Sequence, residues 1–307
     1  MTIEALRTPE ARFENLPDWD FEPQYIDTFP GYQGLRMAYL DEGPRDAPVF
    51  LCLHGQPSWS YLYRKMAPVF LDAGYRVVAP DLYGFGRSDK PVEQEIYTYH
   101  FHRTSLLAFV EALDLSDICL VCQDWGGLLG LTLPMEAPQR YSRLLVMNTG
   151  LPAGETAGQG FAQWRLFNRS QPDLDLQALM QRATPILSEA EAAAYAAPFP
   201  DVRYKAGVRQ FPELVMLKDS DDTVMDARSS EGIETSLKAR KFWSEAWSGE
   251  SFMAVGMQDP VLGPPAMKFL RSLIKNCPEP MEIADGGHFV QEWGAPIAKA
   301  ALKQFAL

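Results

Sequence analysis

The residues of this 307-residue chain best placed to do chemistry are Asp124, Asp259 and His288, each lying just after an apolar run. Asp124 closes the segment DICLVCQD and is followed at once by Trp125, Gly126 and Gly127, then by the helix-like LLGLTLPM. A strand that turns sharply into a helix strains the residue at the apex, so its neighbours must be small. A carboxylate at such an apex is ionised at neutral pH and needs no base to attack. Attack on saturated carbon forms an ester, which water can cleave; a serine alkoxide would leave an inert ether. His288, after MEIADGG, is then free to activate that water. Asp259, after FMAVGMQ, is expected to fix the imidazole tautomer and stabilise its charge. For Asp124 alone the plain alternative is an N-cap of the following helix.

Two features favour the chemical reading. His54-Gly55-Gln56-Pro57 follows the strand VFLCL, where the α/β-hydrolase elbow draws one backbone N–H for its oxyanion hole; the other comes from the residue after the nucleophile. The expected donors are Gln56 and Trp125. The order nucleophile, acid, histidine is also that of this fold. Of the four histidines, His54 is read as packing structurally, and His100 and His102 as surface or capping residues, which leaves His288 as the base. An acid could instead follow RLLVMN, but Asn148 stands there and cannot ionise. Asp285 is read as shaping the turn before His288.

These residues need a scaffold, and the apolar runs supply it: VFLCLHG (49–55), YRVVAPD (75–81), DICLVCQD (117–124), RLLVMNTG (143–150), SFMAVGMQD (251–259) and MEIADGGH (281–288), with weaker strands around 24–29 and 35–41. Near-continuous hydrophobic strands alternating with helical segments predict an α/β fold, a mostly parallel eight-stranded sheet flanked by helices. The alternation stops after Gly150 and resumes near Ser251. Within the gap, Ser188 and Glu191 read as a capping box opening the helix SEAEAAAYAA, which Pro198 and Pro200 end. We expect a core domain of 1–150 and 231–307 with a helical cap inserted at 151–230.

The net charge of −12 argues against nucleic acid as a partner, because an acidic surface repels phosphate. No apolar run is long enough to span a bilayer, and no basic segment followed by an apolar core opens the chain, so the expected location is the cytoplasm. Cys119 and Cys122 form C-x-x-C inside an apolar strand, which points them to opposite faces. With no matching second pair, no metal is expected. No organic cofactor is implied, and a monomer is the expected state.

The combination of HGQPSWSYLYRKMAPVF, DLYGFGRSDKP, CQDWGGLLGLTLPM, FMAVGMQD and ADGGHFVQE resembles the haloalkane dehalogenases, nearly end to end. The acid after FMAVGM resembles the branch acting on short-chain haloalkanes. The resemblance implies hydrolytic dehalogenation of a small neutral haloalkane to a primary alcohol, halide and proton through a covalent aspartyl ester, with water the only co-substrate. It makes Asp124 nucleophile, His288 base and Asp259 acid. It places the leaving halide between two indole N–H groups, those of Trp125 and of Trp164 in GFAQWRLF. Trp N–H is a donor with no acceptor, suited to charge building on a halide. Leu128, Phe161, Phe211, Pro212, Val215, Val261 and Leu262 match pocket-lining positions. Leu128 departs from the aromatic expected there and the cap near 151–165 is short, which together imply a roomier pocket.

The rival enzyme is an epoxide hydrolase, which shares the elbow and histidine but uses two cap tyrosines; here Tyr195 and Tyr204 are the candidates. A haloacid dehalogenase calls for arginines beside the nucleophile, where Trp125 and glycines stand. A ligand receptor of this fold would keep a serine triad or lack a triad member.

Overall fold

The computed structural model of the chain describes residues 2–218 and 227–307. The apolar runs form β1 (Gln24–Ile26), β2 (Met37–Glu42), β3 (Val49–Leu53), β4 (Arg76–Pro80), β5 (Ile118–Cys122), β6 (Tyr141–Met147), β7 (Glu250–Gly256) and β8 (Met281–Ile283). Among the described residues these make one eight-stranded sheet in the order β8-β7-β6-β5-β3-β4-β2-β1. β2 pairs antiparallel with both β1 and β4, and the other adjacent pairs are parallel. β3, β4 and β5 are buried along their whole length, as strands covered on both faces must be. Alternate side chains enter two cores: Leu51, Leu53, Leu120 and Cys122 on one side, Phe50, Cys52, Cys119 and Val121 on the other. Cys119 and Cys122 thus point to opposite faces, and burial pushes both thiols up, so they stay protonated at neutral pH.

On the flanks lie α1 (Ala67–Asp72) and α2 (Tyr99–Ala112), while α3 (Trp125–Gly130) springs from the end of β5. The surface or capping role expected for His102 is corrected here. Thr98 caps α2, its hydroxyl accepting the Phe101 N–H at 3.1 Å. His102 falls on the inward face with Tyr99, Leu106 and Phe109, and burial lowers its pKa to about 3. His100 is exposed.

Between β6 and β7 the alternation gives way to α4 (Gln159–Ser170), α5 (Leu176–Ala183), α6 (Glu189–Ala196) and α7 (Ala206–Leu214). α6 opens with a reciprocal capping box: Ser188 Oγ accepts from the Glu191 N–H, and the Glu191 carboxylate accepts from the Ser188 N–H. The limits 151–230 drawn for this insertion include residues 219–226, which lie outside the described residues. α8 (Ala227–Ser230) and α9 (Ile233–Lys241) lead back to the sheet, and α10 (Pro264–Leu273) and α11 (Gly294–Gln304) complete the chain.

Specific bonds seat the insertion on the core. Gln56 Nε2 donates to the Val208 carbonyl at 3.0 Å and Trp59 Nε1 to that of Ala194 at 3.1 Å. Buried Arg64 donates to both oxygens of Glu292, at 2.6 and 2.7 Å, and to Glu191 of α6 at 2.7 Å. Lys65 approaches Glu292 at 2.9 Å, and the Tyr195 hydroxyl donates to the same carboxylate.

Candidate active site

Asp124 follows β5 with φ 49° and ψ −126°, a left-handed backbone that a non-glycine residue holds only where its surroundings enforce it. Its N–H donates to the Asn148 carbonyl at 3.0 Å, and Thr149 Oγ1 donates to its carbonyl at 2.7 Å. The crossing leaves no room for neighbouring side chains. A Cβ on Gly126 would stand 1.9 Å from the Leu53 oxygen, and one on Gly55 would stand 2.2 Å from Asp124 Oδ1. The Asp124 side chain makes no cap bond to α3, so the N-cap alternative fails. Instead Oδ1 accepts the Gln56 N–H at 2.7 Å. The other expected donor, the Trp125 N–H, makes no hydrogen bond among the described residues.

His288 Nε2 lies 3.5 Å from Asp124 Oδ2. That contact is longer than a good hydrogen bond. On the other side of the ring, Nδ1 lies 2.9 Å from Asp259 Oδ2. An aspartate can only accept there, so the proton sits on Nδ1 and Nε2 is the basic nitrogen. Burial works to lower the His288 pKa, but the attraction of Asp259 and Asp124 outweighs it and raises the value to about 10. Burial likewise works to raise the pKa of Asp259; His288, Asn148 and the Val261 N–H hold it below the usual carboxylate range. Asn148 Nδ2 donates to Asp259 Oδ2 at 2.9 Å, and its Oδ1 accepts the Gly256 N–H at 2.8 Å. Asn148, considered in the sequence only as an acid that is missing, thus braces the carboxylate of Asp259. Its chemical type gave no signal of that, because the partner is 111 residues away.

His54 is fully buried, its Nε2 accepting the Leu82 N–H at 2.9 Å and its Nδ1 facing the Gly55 carbonyl at 2.9 Å. Burial lowers its pKa, and it shapes the Gln56 loop from behind. Asp285 is exposed in the turn before His288, at the cavity edge.

Asp124, Asp259 and His288 open on a cavity of about 800 Å³ between the sheet and the insertion, in the upper part of the usual range for small-molecule sites. Trp125, Leu128, Phe161, Trp164, Pro212, Val215, Val261 and Leu262 all line it. Phe211 does not, which corrects its assignment to the pocket wall. It is fully buried behind the site, its ring 4.6 Å from that of Trp125 and 4.7 Å from that of Phe85. On a helix successive residues point about 100° apart, so Pro212 can face the cavity while Phe211 faces the core. Trp59, Trp243 and Trp247 give their indole N–H groups to protein acceptors. Trp125, Trp164 and Trp293 give theirs to none among the described residues, and all three line the cavity. Tyr195 and Tyr204 are not in the wall; Tyr195 is buried against Glu292.

A carboxylate on a strained elbow, an adjacent histidine and an apolar chamber suit displacement at saturated carbon followed by ester hydrolysis. Comparison with known proteins agrees on the family. A family model described as alpha/beta hydrolase fold matches residues 48–295. The chain is 43% identical over 304 residues to a haloalkane dehalogenase of Psychrobacter cryohalolentis, covering 97% of this chain and 96% of that protein. It is 40% identical over 299 residues to one of Mycolicibacterium paratuberculosis, covering 96% and 95%. A solved haloalkane dehalogenase from Paraglaciecola agarilytica, described as tetrameric, superposes with a TM-score of 0.94 at 51% identity, covering 99% of this chain and all of that one. With an aspartate at its elbow and likeness along its whole length, the chain belongs to the haloalkane dehalogenases of the α/β-hydrolase fold.

Proposed function

We propose that the protein hydrolyses haloalkanes to a primary alcohol, halide and proton, with Asp124 as nucleophile, His288 as base and Asp259 as its partner. The observation that carries this reading is a carboxylate, not a hydroxyl, on the strained elbow, 3.5 Å from the basic nitrogen of a histidine. In the first step Asp124 Oδ2 bonds to the carbon bearing the halogen and the carbon–halogen bond breaks. Charge builds on the departing halide between the indole N–H groups of Trp125 and Trp164. The ester that forms has no charge, so the pull of Asp124 on the His288 proton disappears and Nε2 becomes available to water. Water gives its proton to Nε2 and its oxygen bonds to the ester carbonyl carbon. The oxyanion is received by the Gln56 N–H, already 2.7 Å from Oδ1, joined by that of Trp125. One such donor is worth roughly 3–4 kcal/mol in the transition state.

The helical insertion acts as a cap that keeps the chamber apolar. A volume of about 800 Å³ with Leu128 in the wall favours substrates longer than the shortest haloalkanes. The epoxide hydrolase alternative needs tyrosines in the chamber, and neither Tyr195 nor Tyr204 lines it. For assembly, likeness to a relative described as tetrameric favours self-association over the monomer expected from sequence; sedimentation of the purified chain distinguishes them. The test of the reaction is incubation with 1,2-dibromoethane and, separately, styrene oxide. Bromide and acid release from the first, with no turnover of the second, is expected; diol formation from the second without bromide release from the first overturns the proposal.

A further inference from the structure

Gln123, the residue before the elbow, is fully buried and is absent from the cavity wall. Its Nε2 stands 3.0 Å from the His288 carbonyl oxygen and 3.0 Å from His288 Nε2. The carbonyl can only accept, so the amide must turn its NH₂ end to the histidine; reversed, it would set oxygen against oxygen. The second N–H then faces the ring nitrogen, which can accept it only while Nε2 carries no proton. Oε1 is left buried with no partner among the described residues. Buried amides ordinarily satisfy both ends. Asn148, across the site, does so, donating through Nδ2 and accepting through Oδ1. Gln123 serves the histidine with both N–H groups while its own acceptor goes unmet among the described residues.

We propose that Gln123 is a positioning residue for the general base, its amide clamping the His288 ring against the backbone and disfavouring a proton on Nε2 once the ester has removed the charge of Asp124. The proposal rests on the reading of His288 as the base. The charged groups that face His288 are Asp259 at Nδ1, 2.9 Å away, and Asp124 at Nε2, 3.5 Å away. Both favour the imidazolium. Glu292, one turn further on, is engaged by Arg64, Lys65 and Tyr195, and Asp285 is exposed to solvent. Gln123 is the neighbour that pulls the other way. Its effect falls on the second half-reaction. Water must lose a proton to Nε2 as its oxygen bonds to the ester carbonyl carbon. When the intermediate collapses, the bond from that carbon to the alkyl oxygen breaks and Nε2 returns the proton to the departing alcohol. A donor amide beside Nε2 favours the neutral start and hastens the return, since the imidazolium N–H opposes it.

The test measures ester formation and ester hydrolysis separately, by rapid quench of the whole enzyme with 1,2-dibromoethane across a pH series. Gln123→Met removes the donor at similar length. It is expected to leave ester formation within about twofold, slow hydrolysis near neutral pH at least about tenfold, and move the acid limb of the hydrolysis rate up by about one pH unit. Gln123→Glu keeps the shape and offers an acceptor to a protonated Nε2; its limb should move further in the same direction. It carries the test alone if the methionine variant does not fold. Both steps slowed together, or an acid limb that stays where it is in the wild type, overturns the proposal. His288→Gln is run in parallel. If it accumulates no ester, the base assignment itself fails; if ester accumulates there while the Gln123 limbs stay fixed, only the role of Gln123 falls.

Discussion

His288 and Glu292 lie four residues apart, one in the loop after β8 and the other in the 3-10 turn Val290–Trp293, and each belongs to a buried ionic cluster, yet the clusters are bonded in opposite ways. Around Glu292 both carboxylate oxygens are met, by two bonds from Arg64, one from Tyr195, and Lys65 at 2.9 Å, although Arg64 Nε has no partner among the described residues. Around His288 the bonding is left incomplete. Asp124 reaches the ring only at 3.5 Å from a left-handed backbone, and the Trp125 N–H has no acceptor among the described residues. A saturated cluster holds the histidine loop to α6 of the insertion. An unsaturated one keeps bonding capacity for a transition state, which is where such capacity contributes to rate. The contrast says that one cluster should govern turnover and the other stability.

Substitutions can break that division. Asp124→Asn is expected to cut bromide release at least about ten-thousandfold while leaving the melting temperature within a few degrees; measurable turnover in the pure variant would contradict the nucleophile assignment. His288→Gln should stop the second half-reaction alone, so that mass spectrometry finds an alkyl adduct on Asp124 after exposure to substrate. Glu292→Gln should do the reverse. Leaving Arg64 short of a buried counter-charge costs about 3–5 kcal/mol, read as a fall of roughly 10 °C in Tm, while kcat of the folded fraction stays near that of the wild type. A large loss of kcat with unchanged Tm would merge the two clusters into one. Trp164→Phe removes one donor to the halide and should weaken bromide binding roughly tenfold or more, as followed by indole fluorescence; unchanged affinity would place the second donor elsewhere.

The smallest expected effect concerns pH. His288 binds its proton more tightly in the folded protein, at about 10, than at its ordinary 6.5. Its contribution to stability is therefore complete below pH 6.5 and is lost as the pH rises to about 10. Tm should fall across that span, and fall less in His288→Gln; identical slopes in the two proteins would show that the ring is not held as described.

What was legible in the sequence follows the same physical line. Buried parallel strands are written as unbroken apolar runs, so all eight could be placed, and the turn chemistry around Asp124 is written in adjacent glycines. Asp259 and His288 follow strands in a fixed order, which made them findable one at a time. Contacts across the fold were not. Arg64 and Glu292 are 228 residues apart and Asn148 and Asp259 111, and no local pattern announces either pairing. In the insertion, where helices replace strands, a one-residue difference in facing decides between wall and core. That is how Pro212 reached the cavity and Phe211 did not. For His102 the inward helical face outweighed its polar type.

The most direct test of the account is a single turnover in heavy-oxygen water, with excess enzyme, followed by mass analysis of the peptide containing Asp124 and of the alcohol. If the carboxylate attacks carbon and is then regenerated at its carbonyl carbon, the label enters Asp124 and the alcohol carries the light oxygen that the aspartate began with. Label in the alcohol with an unlabelled Asp124 would mean that water attacks the substrate directly, and the account would be wrong.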